Sequence, residues 1–294
     1  MLKKLKLLKL IKYDLLADYK KYIAVYISMA ATSVLLLFFD KMTSWISNNK
    51  FLDLMTVVFA VLFLIISVIS AVMLLVFSTI RFYKNIVRDE GYLMHTLPVP
   101  TWQLIASKFI SVYIWFFITL IVTGICSGIA YGEPFWLFKL SEGFSDEFKA
   151  GFQIGYNAAN GPTADIVFEE DWQLFTGMMK LYAVLILLSP FMTMSSIYFS
   201  FALGNLFNKS KLAMSVIMYF LLQFAEMILG AFCSGFVTLD FFAEAAKYGE
   251  DMPMPLMYDF FRQIMTVTTI ISVILSIGFM IAAERIFAKK LNLE

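Results

Sequence analysis

The chain has 294 residues, of which 61% are hydrophobic and 15% are charged, and its formal net charge is +1. Its mean hydropathy of +0.79 lies far above that of soluble domains, which excludes one or two soluble globular domains and predicts a membrane protein. Two cysteines and one histidine are too few for a disulfide scaffold or a zinc site.

Residues 1–21 form a basic lead-in to the first apolar segment. Four of its leucines fall roughly on one side of a helical wheel: Leu5, Leu8, Leu15 and Leu16. Its lysines are Lys3, Lys4, Lys6, Lys9, Lys12, Lys20 and Lys21. This pattern predicts an interfacial helix on the cytoplasmic membrane surface, bound by apolar burial and by anionic lipids. A solvated basic tail is the alternative.

Six apolar segments approach or exceed the roughly 20 residues that a helix needs to cross a bilayer. They are residues 22–39, 54–80, 109–131, 181–207, 212–238 and 264–283. We therefore predict an all-α polytopic membrane protein with a single transmembrane domain over residues 1–294. Within it, residues 22–131 contain spans 1–3 and residues 181–294 contain spans 4–6.

The polar interval between the second and third spans has the features of a short helix with a defined end. Asp89 can cap such a helix, and Glu90 in its first turn favours the helix dipole. Leu93 and Leu97 lie one turn apart on one face. Pro98 ends the helix because it cannot donate a backbone N–H.

This interval, residues 81–108, resembles the first cytoplasmic loop of type-2 ABC-transporter permeases of Gram-positive bacteria. The matching residues are Asp89, Glu90, Gly91, Tyr92, Leu93, Leu97, Pro98, Ser107 and Lys108. A lead-in of Lys12, Tyr13 and Asp14 is similar to the family as well. In that family the loop forms a coupling helix that docks into a separate ATPase.

The resemblance implies that this coupling helix contacts the ATPase. The expected contact residues are Lys84, Arg88, Asp89, Glu90, Gly91, Tyr92, Leu93, Leu97 and Pro98. Lys84 and Arg88 would pair with acidic residues of the ATPase, and the two leucines would fill an apolar groove.

Residues 132–180 form a second, strongly acidic interval. Apolar residues recur there at every fourth position: Leu140, Phe144, Phe148 and Phe152. They predict an amphipathic helix over residues 141–154, as an extracellular insertion between spans 3 and 4. Some permeases of the family place their outer structure between spans 5 and 6 instead.

The distribution of cations predicts the orientation. Lysine and arginine are concentrated near both ends of the chain and in the intervals after spans 2 and 4, whereas the acidic intervals lie on the opposite side. By the positive-inside rule, we expect both termini to be cytoplasmic and the protein to lie in the cell membrane.

The sequence contains no recognisable motif for catalysis or nucleotide binding. The stretch that ends at Lys209 has Asn208 and Leu203 at the two positions where a phosphate-binding loop needs glycine. We therefore expect ATP and Mg²⁺ to bind to the partner ATPase, and no cofactor to bind to this chain. We expect no catalytic residue, no metal site and no nucleic-acid partner. Whether Cys126 and Cys233 pair is left open.

Glu226 is the notable charge inside a span, with Gln223 one turn before it. A charge at the bilayer centre costs on the order of 3 kcal/mol, so such residues usually face a bundle interior or a cavity. One interpretation places both residues on a translocation path. The other is a hydrogen bond that joins helices or subunits.

The resemblance therefore implies the permease subunit of an ABC exporter, without enzymatic activity of its own. Its expected partners are an ABC ATPase, a second identical or related permease, and membrane lipids. An antimicrobial peptide, a lipid or a drug-like molecule would be compatible substrates. The alternatives are a permease-like sensor or immunity protein, an intramembrane enzyme, and an ion-coupled carrier.

Overall fold

A computed structural model of the chain describes residues 2–46, 49–87, 100–131, 149–151, 153–154, 164–207, 210–248 and 254–289. Six long α-helices account for most of them: α1 (Leu2–Trp45), α2 (Lys50–Phe82), α3 (Thr101–Tyr131), α4 (Ala164–Gly204), α5 (Lys211–Ala245) and α6 (Met254–Lys289). A π-helical segment, Tyr83–Val87, continues α2. No strand occurs within these ranges.

All six helices are long and apolar enough to cross a membrane. A helix satisfies its own backbone hydrogen bonds, which is why it is a stable form for a chain segment surrounded by lipid. The prediction of an all-α, multi-pass membrane protein is confirmed at this level.

The helices divide into two compact units, one of α1–α3 and one of α4–α6. In the first unit, α1 packs against both α2 and α3, and α2 also contacts α3. In the second unit, α4 packs against both α5 and α6, and α5 also contacts α6. Each unit is therefore a three-helix bundle in which the first helix contacts the other two.

Helix α1 buries one face along most of its length. The buried residues are three, four or seven positions apart: Ile11, Asp14, Asp18, Tyr22, Met29, Ser33 and Leu36. Such spacings fall on one side of a helix. The structure shows no break at the predicted boundary between an interfacial helix over residues 1–21 and a first span over residues 22–39, because α1 passes through it as one helix. No proline or glycine interrupts α1, and its buried face is continuous across the boundary.

The helices on either side of residues 88–99 extend further into the interval over residues 81–108 than predicted. Helix α2 with its π-helical extension reaches Val87, and α3 begins at Thr101. The predicted coupling residues from Arg88 to Pro98 lie outside the described residues, whereas Lys84 is exposed on the π-helical segment.

The helix that contains the predicted fourth span begins within the acidic interval over residues 132–180. Helix α4 begins at Ala164, well before residue 181, and no proline interrupts it before Pro190. Most of the predicted helix over residues 141–154 lies outside the described part of the chain; residues 149–151 and 153–154 are helical.

Aromatic stacking and one close backbone approach join the helices of the second unit. Phe199 of α4 stacks on Phe279 of α6 at 5.0 Å, and Phe241 of α5 stacks on Phe260 of α6 at 4.1 Å between ring centroids. At the α4–α5 connection, a Cβ added to Gly204 would lie 2.0 Å from Ser215 Oγ and 2.6 Å from Ser215 N. Glycine is therefore required at this crossing.

Candidate functional site

Four charged side chains from three helices meet at the end of the first unit where α1 begins. They are Asp14 and Asp18 of α1, Arg81 of α2 and Lys108 of α3. The exposed fractions of these side chains are 6% for Asp14, 12% for Asp18, 16% for Arg81 and 3% for Lys108. We call this group the ionic cluster. Its two carboxylates and two cations balance in charge, as burial requires.

Asp14 connects all three helices of the unit. Its Oδ1 accepts hydrogen bonds from Lys108 Nζ at 2.5 Å and from Arg81 Nη2 at 3.0 Å. Its Oδ2 accepts from Ser107 Oγ at 3.3 Å. One carboxylate on α1 therefore binds the end of α2 and the second turn of α3.

Arg81 bridges the two aspartates. Its Nη1 donates to Asp18 Oδ2 at 2.7 Å, while Nη2 donates to Asp14 and also to the carbonyl oxygen of Tyr13 at 3.1 Å. A planar guanidinium group suits this task because its donors point along fixed directions to separate acceptors. Asp18 also accepts from Lys21 at 2.9 Å, and Lys21 is half exposed.

Local sequence explains how the cluster forms. Asp14 and Asp18 lie one helical turn apart, so both project from the buried face of α1. Arg81 lies at the end of an apolar helix, and Lys108 lies in a turn of α3 whose neighbours Ser107 and Ser111 are also buried. Helices α1, α2 and α3 thus each supply charged side chains at the same depth in the bundle.

Sequence reasoning did not predict this cluster. Asp14, Ser107 and Lys108 carry part of the family resemblance, and the structure brings these three residues into contact. Asp18 was missed, although two aspartates four positions apart in a lysine-rich stretch are a usable signal. The role of Arg81 as a bridge was missed as well.

An aromatic layer lies one turn further along α1. Tyr22 stacks on Trp115 of α3 at 4.1 Å and meets Phe77 of α2 edge-on at 5.8 Å between ring centroids. Next to it, Tyr26 and Thr119 share a hydrogen bond of 2.7 Å between their hydroxyl groups. This layer joins the same three helices that the ionic cluster joins.

The second polar group surrounds Glu226 in the second unit. Ser196 Oγ of α4 donates to Glu226 Oε1 at 3.1 Å, and Gln223 Nε2 of α5 is 3.5 Å from Oε2. The structure thus brings together the predicted pair, Glu226 and Gln223, and adds Ser196, which sequence reasoning missed. No ion pair involves Glu226 among the described residues.

Metal-binding and disulfide chemistry find no support in the described ranges. No group of three histidine, cysteine, aspartate or glutamate side chains is arranged there to bind a metal ion. Cys126 and Cys233 are both free thiols.

A scan against protein-family models, a search of curated proteins and a search of solved structures each found no match. The functional proposal therefore depends on the two polar groups and on the sequence resemblance.

Proposed function

We propose that the chain is the permease subunit of an ABC exporter, in which a separate ATPase hydrolyses ATP to drive export of a peptide, a lipid or a drug-like molecule. The observation that carries the proposal is the contact of Asp14 with Arg81 and with Lys108. These two cations lie on the helices that precede and follow residues 88–99, the segment that resembles a coupling helix.

A coupling helix must be joined rigidly to the spans, because a flexible connection would absorb its displacement. Here the segment follows α2 and leads into α3, and both helices are bound to α1 through the ionic cluster. A force applied between residues 88 and 99 would therefore reach three helices together. Separating them would leave a buried charge without its partner, which is strongly unfavourable.

The proposed orientation places this end of the first unit in the cytoplasm, on the side of the ATPase. Lys84, which is exposed, and Arg88 would pair with acidic residues of the ATPase. Leu93 and Leu97 would fill its apolar groove. A second permease subunit, identical or related, would complete the transporter in the cell membrane.

The test is co-purification of the chain with the products of neighbouring genes, followed by an ATPase assay. We expect a subunit with a Walker motif to co-purify with the wild type and to be lost from a Leu93→Asp/Leu97→Asp double variant. Trp45→Asp serves as the matched control, because Trp45 is 90% exposed at the opposite end of the first unit.

Both variants must elute as single, folded species for the comparison to count. Loss of the ATPase from the double variant but not from Trp45→Asp supports docking at residues 88–99. If no ATPase associates with the folded wild type, or if the double variant retains it fully, the proposal is wrong.

A further inference from the structure

We propose that Glu226 recognises the cationic group of an amphiphilic substrate, so that the exported molecule is a lipophilic cation. This inference rests on the proposed transport function and names the class of substrate. Four observations carry it: the depth of Glu226 in its helix, the neutral partners of its carboxylate, the exposure of the group, and the open space beside it.

The first observation is depth. Glu226 lies about 22 Å after Lys211 and about 21 Å before Asp240 along α5, at 1.5 Å per residue. The hydrocarbon core of a bilayer is about 30 Å thick, so this position is near its middle when α5 spans the membrane. An ionisable residue at such a depth indicates a functional site by default.

The second observation is that the known partners of the carboxylate are neutral. Ser196 and Gln223 each donate to one oxygen of Glu226. A carboxylate offers about four acceptor positions, so these two donors orient the group and leave capacity for a further donor. Within the described residues no lysine or arginine supplies the missing positive charge, and a cationic ligand would.

The third observation is exposure. Glu226 is partly exposed, and so are its neighbours on the same side of α5, which lie one or two turns before it and one turn after it: Tyr219, Gln223, Leu229 and Gly230. Tyr219 lies seven positions before Glu226, two turns away on the same side of α5. The lining is thus one aromatic ring, one aliphatic side chain and one glycine around a single acid.

The fourth observation is space. Gly230 lies one turn beyond Glu226 on the same side of α5, and a Cβ added there would meet no atom within 4 Å. An apolar body can therefore lie over Gly230 and Leu229 while its cationic group meets the carboxylate. An aromatic ring beside a cation adds further attraction. These features match an organic cation with a large apolar part.

The test measures binding to the purified chain alone in lipid nanodiscs, so that no ATPase is required. The probe is tetraphenylphosphonium, measured by equilibrium dialysis with empty nanodiscs as the correction for partition into lipid. Triphenylphosphine oxide, which is neutral and also aromatic, is the matched probe. We expect saturable binding of the cation and none of the neutral compound.

Two variants separate charge recognition from a purely structural role. Glu226→Gln retains an acceptor for Ser196 but removes the charge, so the affinity for tetraphenylphosphonium should fall roughly tenfold or more. Ser196→Ala removes the link between α4 and α5 but retains the charge, so the affinity should change by less than about threefold. Glu244→Gln, at an exposed position of α5, is the control and should bind as the wild type does.

A fourth variant covers the case in which Glu226→Gln fails to fold. Gly230→Leu leaves the carboxylate in place and fills the space beside it, so it should also weaken binding. The proposal is overturned if the folded wild type binds no cation saturably or if a folded Glu226→Gln binds as the wild type does. Where Glu226→Gln does not fold, wild-type binding by Gly230→Leu overturns it instead. Cation binding without ATPase association would refute the transporter alone, and ATPase association without cation binding would refute the substrate class alone.

Discussion

Lys108 of α3 donates a hydrogen bond to Asp14 of α1, and both side chains are more than nine-tenths buried. The two residues are 94 positions apart in the chain. Replacing such a pair by apolar residues of similar volume often costs little, whereas removing one partner is costly because a charge is left buried. The pair therefore favours the observed contact between α1 and α3. The difference in stability between removing one partner and replacing both can be measured.

Asp14→Asn should lower the free energy of unfolding by about 3–5 kcal/mol, because Arg81 and Lys108 then retain their charges in a buried site with one carboxylate fewer. Chemical or thermal unfolding of the purified protein measures the change. Asp40→Asn, at an exposed position near the other end of α1, is the control and should stay within about 0.5 kcal/mol of the wild type.

An Asp14→Leu/Lys108→Met double variant should recover at least half of the stability lost in Asp14→Asn, because it removes both members of the buried pair. The same unfolding assay gives the answer. A double variant that is less stable than Asp14→Asn would show that the pair does not act as a unit.

Arg81→Lys should destabilise the first unit by about 1–3 kcal/mol, although it conserves the charge. A single ammonium group cannot reproduce the fork that binds Asp14, Asp18 and a backbone carbonyl at once. The matched change is Arg262→Lys, because Arg262 pairs with Asp259 while both side chains are about half exposed. That change should cost less than about 0.5 kcal/mol, and equal costs at the two sites would contradict the bridging role.

Gly204→Ala should destabilise the α4–α5 pair by about 1–3 kcal/mol or more, because the new methyl group would overlap Ser215. Adding Ser215→Gly to Gly204→Ala should not restore stability. The backbone nitrogen and Cα of residue 215 would still lie 2.6 Å and 2.7 Å from the new methyl group. Gly235→Ala is the control because its position is open, and it should gain about 0.5–1 kcal/mol. Thermal unfolding of Gly204→Ala, of the double variant with Ser215→Gly, and of Gly235→Ala shows whether the methyl group clashes with the backbone or with the side chain of residue 215.

The stack of Tyr22 on Trp115 should contribute a coupling energy of about 0.5–1.5 kcal/mol beyond the area that each ring buries. A double-mutant cycle of Tyr22→Leu, Trp115→Leu and both together measures it. A coupling energy near zero would mean that the two rings fill space independently.

The number and approximate position of the spans could be predicted from the sequence because hydropathy and the requirement for internal backbone hydrogen bonds are local properties. The position of Glu226 within its span was visible for the same reason. Its partner Ser196 was not, because a hydrogen bond between α4 and α5 depends on the rotation of each helix about its axis, which hydropathy does not determine.

The partners of the charged residues could not be predicted from the sequence. Asp18 belongs to the predicted interfacial helix, and Arg81 and Lys108 belong to the predicted interval between spans 2 and 3. Isolated charges are costly in a helix that faces lipid. In the structure these three residues lie within continuous helices, since each charge has a partner of opposite sign on another helix. The sequence by itself thus determined which segments are apolar enough to span a membrane. The tertiary structure alone decided where those helices extend through charged residues, because the pairing that makes such charges tolerable joins residues far apart in the chain.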